Sequence, residues 1–151
     1  YVRAAFAMAE GVLFGLKGIL SEAAILFRVP LSPGEASLLA EESYSLKDDG
    51  SVRVGQPFLR LAENARFMFS MGARVTESSF AVDYGGAGWA GFKESIKVRN
   101  RLMHPKSVAD LAVSDDEMQS LDHATAWYRD STIRLMLELR KEILARRGSL
   151  E

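Results

Sequence analysis

Arg99-Asn100-Arg101-Leu102-Met103-His104 is the stretch of this sequence whose residue types and spacing could carry out a reaction. A histidine can give or take a proton, an arginine can hold a phosphoryl oxygen, and an amide can orient either. The set therefore suits cleavage of a phosphodiester. In RNA the neighbouring 2′-hydroxyl would be the nucleophile, and no metal would be required. Lys97, Asn100, Arg101 and His104 stand at i, i+3, i+4 and i+7, so they share one polar face of a helix. His104 falls at that helix's C-terminus, where the macrodipole favours a cation. Arg99 falls instead on a stripe with Trp89, Phe92, Ile96 and Met103. A guanidinium aimed at apolar neighbours is costly unless it meets an anion or an interface. From Lys93 to Lys106 there are five Lys and Arg against one Glu, a local surplus in a chain of net charge −1. The same residues admit a plain structural reading, in which Arg99 pairs with a core carboxylate such as Glu10 while His104 caps the helix.

Other groupings carry less. Gly86-Ala87-Gly88-Trp89-Ala90-Gly91 matches G-x-G-x-x-G by letter. A pyrophosphate site there would need a strand before it, a helix after it and a parallel strand beyond. Phe80-Ala81-Val82 and Val108 to Val113 could be short strands, but the surroundings read as helices, so the glycines are expected to form a flexible loop leading into a helix. His123 reads as a partly exposed structural histidine, and no spacing of His, Asp and Glu suggests a metal site. Trp127 and Tyr128 read as core or interface residues rather than platforms for bases. Asp110, Asp115, Asp116, Glu117 and Asp122 read as a solvated face and an acidic helix start.

The elements that must position these residues follow from periodicity. The chain has 151 residues, 48% apolar and 26% charged, with no cysteine and two histidines. That excludes a disordered chain, a disulfide scaffold, thiolate catalysis and a polycation that coats nucleic acid. Tyr1 to about Phe27 is expected to be one buried helix, with Phe6, Val12, Leu13, Leu16, Leu20, Ala24 and Phe27 inward. Gly11, Gly15 and Gly18 are expected to let a neighbouring helix approach. Glu10, Lys17 and Glu22 keep any uncharged run below the ~18 residues of a membrane span. No membrane association is therefore expected, and a cytoplasmic location is. The chain opens on Tyr1, so it is expected to begin inside a longer product. Ser32-Pro33-Gly34-Glu35 starts a short helix. Tyr44–Leu46 and Ser51–Val54 flank an Asp-Gly turn and predict a hairpin lying on the helices. A third helix is expected over Pro57–Val75, with Phe58 and Leu61 on its inward stripe. A fourth is expected from about Trp89 to Met103, ended by Pro105. The last, opened by the Ser114–Glu117 capping box, should run to about Arg146. Residues 1–151 thus read as a single all-α domain, an antiparallel bundle of four main helices with a short helix and a small hairpin insertion.

With the motif and this architecture together, the chain resembles the HEPN superfamily. Arg99-Asn100-x-x-x-His104 matches its R-x(4–6)-H motif, including the polar residue that commonly follows the arginine. The resemblance implies a helical domain, frequently dimeric, that acts as a metal-independent endoribonuclease in toxin–antitoxin or anti-phage settings, often beside a nucleotidyltransferase-type antitoxin. It implies Arg99 and His104 as the catalytic pair and Asn100 as their assistant, with no cofactor and a 2′,3′-cyclic phosphate product. Lys97, Arg101 and Lys106 would then steer the RNA backbone. Some members of the superfamily are non-catalytic binding or scaffold modules, which is the alternative expectation. On one helix Arg99 and His104 point about 140° apart, so a homodimer with a composite basic cleft is expected.

Overall fold

The computed structural model describes residues 1–147; residues 148–151, the end of the expected domain, lie outside the described residues. The chain runs α1 (Val2–Leu26), α2 (Pro33–Leu39), β1 (Ser43–Leu46), β2 (Val52–Gly55), α3 (Leu61–Val75), α4 (Ala87–Met103), a 3-10 turn (Val108–Leu111) and α5 (Asp115–Arg147). It is an all-α fold with one small antiparallel hairpin. In α1, Val2, Phe6, Ala9, Leu13, Leu16, Leu20 and Ala24 are buried at three- and four-residue spacing, so one face is fixed to the core. Each large side chain withdrawn from water contributes about 1.5–3 kcal/mol, which offsets the helix's three glycines at up to about 1 kcal/mol each. Among the described residues α1 is the one helix long and apolar enough to cross a membrane, with a mean hydropathy of 1.4. Its inner face is nonetheless bonded into the fold. Lys17 is 1% exposed, with Nζ 2.8 Å from Glu41 Oε1.

Both capping boxes form. Ser32 and Glu35 exchange bonds at the start of α2, and Ser114 and Glu117 do so at the start of α5. The Arg74 guanidinium, with the Ser32 amide and hydroxyl, holds the Glu35 carboxyl down to about 2. The core where α3, α4 and α5 meet is aromatic: Phe69, Phe92, Trp127 and Tyr128 lie within 5.3–6.1 Å of one another in the pairs they make. Tyr128 donates its hydroxyl to Ala9 O at 2.9 Å, and burial pushes its pKa up. Trp127 Nε1 donates to Asp83 O at 2.9 Å. Tyr128 is therefore core, and Trp127 packs half-buried against that core.

Several local expectations are corrected. Gly11, Gly15 and Gly18 lie on the outward face of α1, and a Cβ at any of them would meet nothing within 4 Å. They admit no helix of this chain. α3 starts at Leu61, with Arg60 at its N-cap, and leaves Phe58 93% exposed. The hairpin turns at Gly50, whose φ is +78°, and pairs Tyr44 with Val54 and Leu46 with Val52. Those four residues are all exposed, so the hairpin stands off the helices rather than lying on them. The inward stripe of α4 is Trp89, Phe92, Ser95, Val98 and Leu102, while Met103 is exposed. The stripe is turned because α5 closes on α4's glycines. A Cβ on Gly88 would stand 2.4 Å from Trp127 Cβ, and one on Gly91 would stand 2.6 Å from Ser120 O. The G-x-G-x-x-G letters are thus a cap at Gly86 and a close helix crossing at Gly88 and Gly91, not a flexible loop. The segment after Pro105 is a 3-10 turn, not a strand.

Candidate functional site

The last two turns of α4 are braced from α1. Arg3 donates from Nη2 to Leu102 O, satisfying one of the carbonyls a helix end leaves open. Two turns further along α1, Glu10 Oε1 accepts from Arg99 Nη2 at 2.7 Å. Arg99 Nη1 donates to Asn100 Oδ1 at 3.1 Å. The Arg99 side chain is 29% exposed, between the core and the surface. The anion that the sequence required for Arg99 is therefore Glu10. A guanidinium carries five N–H donors, so these two bonds leave others open.

His104 is the C-cap residue of α4, and its amide donates to Asn100 O at 3.1 Å. Its side chain is exposed, as is that of Asn100. Arg99 and Asn100 are thus in direct contact, with His104 one turn beyond Asn100 at the helix end. Lys97 is exposed and pairs with Glu94 at 2.7 Å. Lys106 is exposed just past Pro105, and its amide donates to Asp110 Oδ2 at 2.7 Å.

Arg101 departs from its expected role. It donates from Nη1 to Glu117 Oε1 at 2.7 Å and from Nη2 to Glu117 Oε2 at 3.0 Å. Nε donates to Asp110 O at 3.1 Å, and Nη2 also donates to Ala112 O at 2.6 Å. A planar fork matches a carboxylate in this way. The guanidinium is spent on tying the 104–114 segment to the start of α5, so it is a clamp rather than a free cation for RNA. The Arg101 bond holds the Glu117 carboxyl below the ordinary carboxylate range. The amides of Lys106 and Ser107 do the same for Asp110.

No protein-family model, curated protein or solved structure matches the chain.

The site stands on its own residues. Among the described residues, no three His, Asp or Glu side chains group as a metal-ligand set. His123 is exposed on α5. Three features escaped the sequence: the Arg3 brace, the Lys17–Glu41 pair and the Arg101 clamp. Lys17 sits amid apolar residues of α1, and that was a signal for a buried pair. Glu117 was assigned to the helix cap, which concealed its second bond to Arg101.

Proposed function

We propose that the protein is a metal-independent endoribonuclease of the HEPN type. The observation that supports this most is the arrangement at the end of α4: an arginine held by Glu10 and Asn100 with donors to spare, and an exposed histidine capping the same helix. In this reading an imidazole takes the 2′-hydroxyl proton and O2′ attacks phosphorus. The P–O5′ bond breaks, and a proton goes to the leaving oxygen. The products are a 2′,3′-cyclic phosphate and a 5′-hydroxyl. Arg99 stabilises charge on the phosphorane-like transition state, and Asn100 orients the phosphate or the imidazole. Lys97 and Lys106 attract the RNA backbone. The setting is cytoplasmic toxin–antitoxin or anti-phage defence. The protein works as a homodimer restrained by a nucleotidyltransferase-type antitoxin. Incubating purified protein with mixed RNAs beside its His104→Ala variant tests this. The variant should cleave at least ~10²-fold more slowly, the range for removing acid–base catalysis; cleavage at the wild-type rate would refute the assignment.

A second reading is favoured by the 2.7 Å Arg99–Glu10 pair: a non-catalytic helical module in which Arg99 only ties α4 to α1. It expects no cleavage by the wild type, and a lower melting temperature for Arg99→Ala.

A further inference from the structure

Between α1 and α5 lies a groove of about 230 Å³ that the site at the end of α4 does not use. Alanines on both walls leave it open: Ala5 and Ala9 on α1, and Ala124 on α5. Its deep side is aromatic, made by the buried rings of Phe6, Phe92 and Tyr128. Phe6 and Phe92 lie 5.7 Å apart, and Phe92 and Tyr128 stack at 5.8 Å with their planes 5° from parallel. The polar side chains of the lining all come from α5, and most are spent. Thr125 donates to Asp122 O at 3.1 Å, and Tyr128 donates to Ala9 O at 2.9 Å. Arg129 pairs with Asp130 at 2.8 Å, so the charges there cancel. Thr132 Oγ1 differs from these, because it is buried and makes no hydrogen bond.

We infer that this groove binds a neutral aromatic molecule of about nine non-hydrogen atoms with one polar hydrogen, a class whose simplest shape is indole. Size sets the first limit. A dry apolar cavity of ~150 Å³ takes benzene, so about 230 Å³ takes a ring system roughly half as large again. The aromatic side of the groove favours a ring over an alkyl chain, since offset and edge-to-face contacts add to what burial alone supplies. Charge sets the second limit. Arg129 already has its carboxylate, and an anion entering beside it would meet Asp130. The Thr132 hydroxyl sets the third. A buried hydroxyl without a partner carries a desolvation cost that a ligand N–H or O–H removes and a purely apolar molecule does not. The inference rests on the groove alone and stands whether or not the protein cleaves RNA.

Methyl-detected NMR tests it by titrating the protein with indole and with indene, which has the same shape and no polar hydrogen. Indole should shift the methyls of Ala5, Val12 and Ala124 saturably, with a dissociation constant below ~1 mM, within reach of a ligand this small. Thr132→Val keeps the shape of the side chain and should weaken indole about fivefold, the equivalent of one hydrogen bond. It should leave indene unchanged or tighter. Ala5→Leu fills the groove and should abolish binding of both. The methyls of Leu16 and Leu20, which do not line the groove, report whether each variant is folded, and Thr132→Val remains decisive if Ala5→Leu is not. No saturable shift in the wild type overturns the inference, as does wild-type affinity for indole in either folded variant. Groove methyls that move on dilution and ignore indole also overturn it, by making a second copy of the chain the occupant.

Discussion

Arg99 and Arg101 stand two residues apart on α4, and their guanidiniums are used in opposite ways. Arg101 spends four bonds on Glu117 and the carbonyls of Asp110 and Ala112, all of them holding a loop to a helix. Arg99 makes two bonds, to Glu10 and Asn100, and keeps donors open beside the exposed face of Asn100. Residue type and local charge do not separate the two. What separates them is what each meets: Arg101 faces a segment with carbonyls to satisfy, and Arg99 faces a single carboxylate across the α1–α4 contact. An arginine next to a motif is available for a substrate only to the extent that the fold leaves its donors unspent.

The largest expected effect is on Arg99. Arg99→Ala should lower RNA cleavage by at least ~10²-fold, as removal of an electrostatic donor does, with the far-ultraviolet circular dichroism unchanged. Cleavage near the wild-type rate would erase the contrast with Arg101. Asn100→Ala should cost less, on the order of 10-fold, the equivalent of one hydrogen bond to a charged group. A loss larger than that of His104→Ala would mean that the roles are misassigned.

Arg101→Ala should act on stability first. It should lower the melting temperature and speed hydrogen exchange at the Lys106 and Ser107 amides, while cleavage falls less than in Arg99→Ala. Arg101→Lys should not restore protection, because an ammonium cannot engage both oxygens of Glu117 as a fork does. If Arg101→Ala instead leaves exchange unchanged and abolishes RNA binding, Arg101 is a substrate contact after all.

A smaller effect comes from acid. Glu117 and Asp110 have carboxyl pKa values held below the ordinary 4.5 and 3.8. Groups depressed on folding stabilise the fold above the unfolded values, and that contribution is lost as pH falls through the folded ones. The melting temperature and the protection of the Lys106 and Ser107 amides should therefore hold from neutrality to about pH 4.5 and decline below it. In Arg101→Ala the decline should be shallower, since the main cause of the Glu117 shift is gone.

The sequence made the helices legible because their apolar spacing is dictated by burial: Phe6, Leu13, Leu16 and Leu20 in α1, or Leu121, Tyr128, Leu135 and Leu139 in α5. The caps at Ser32 and Ser114 were legible because they are local chemistry. The facing of α4 was not, since Gly88, Gly91 and Ser95 are inward by virtue of α5's approach, and small residues carry no hydrophobic signal. For the same reason Gly11, Gly15 and Gly18 could not be told from Gly88 and Gly91 by letter. At the site, the Arg99–Glu10 pair was foreseeable as a need for an anion. The Arg101 clamp depends on carbonyls of a distant segment, and no side-chain pattern announces those.

Cleavage of a defined single-stranded RNA by the wild-type protein in EDTA, with the new ends identified by mass spectrometry, tests the central claim most directly. The account predicts unimpaired cleavage that leaves a 2′,3′-cyclic phosphate and a 5′-hydroxyl, at least ~10²-fold slower in His104→Ala. Intact RNA, cleavage that EDTA stops, or ends bearing a 5′-phosphate would contradict it.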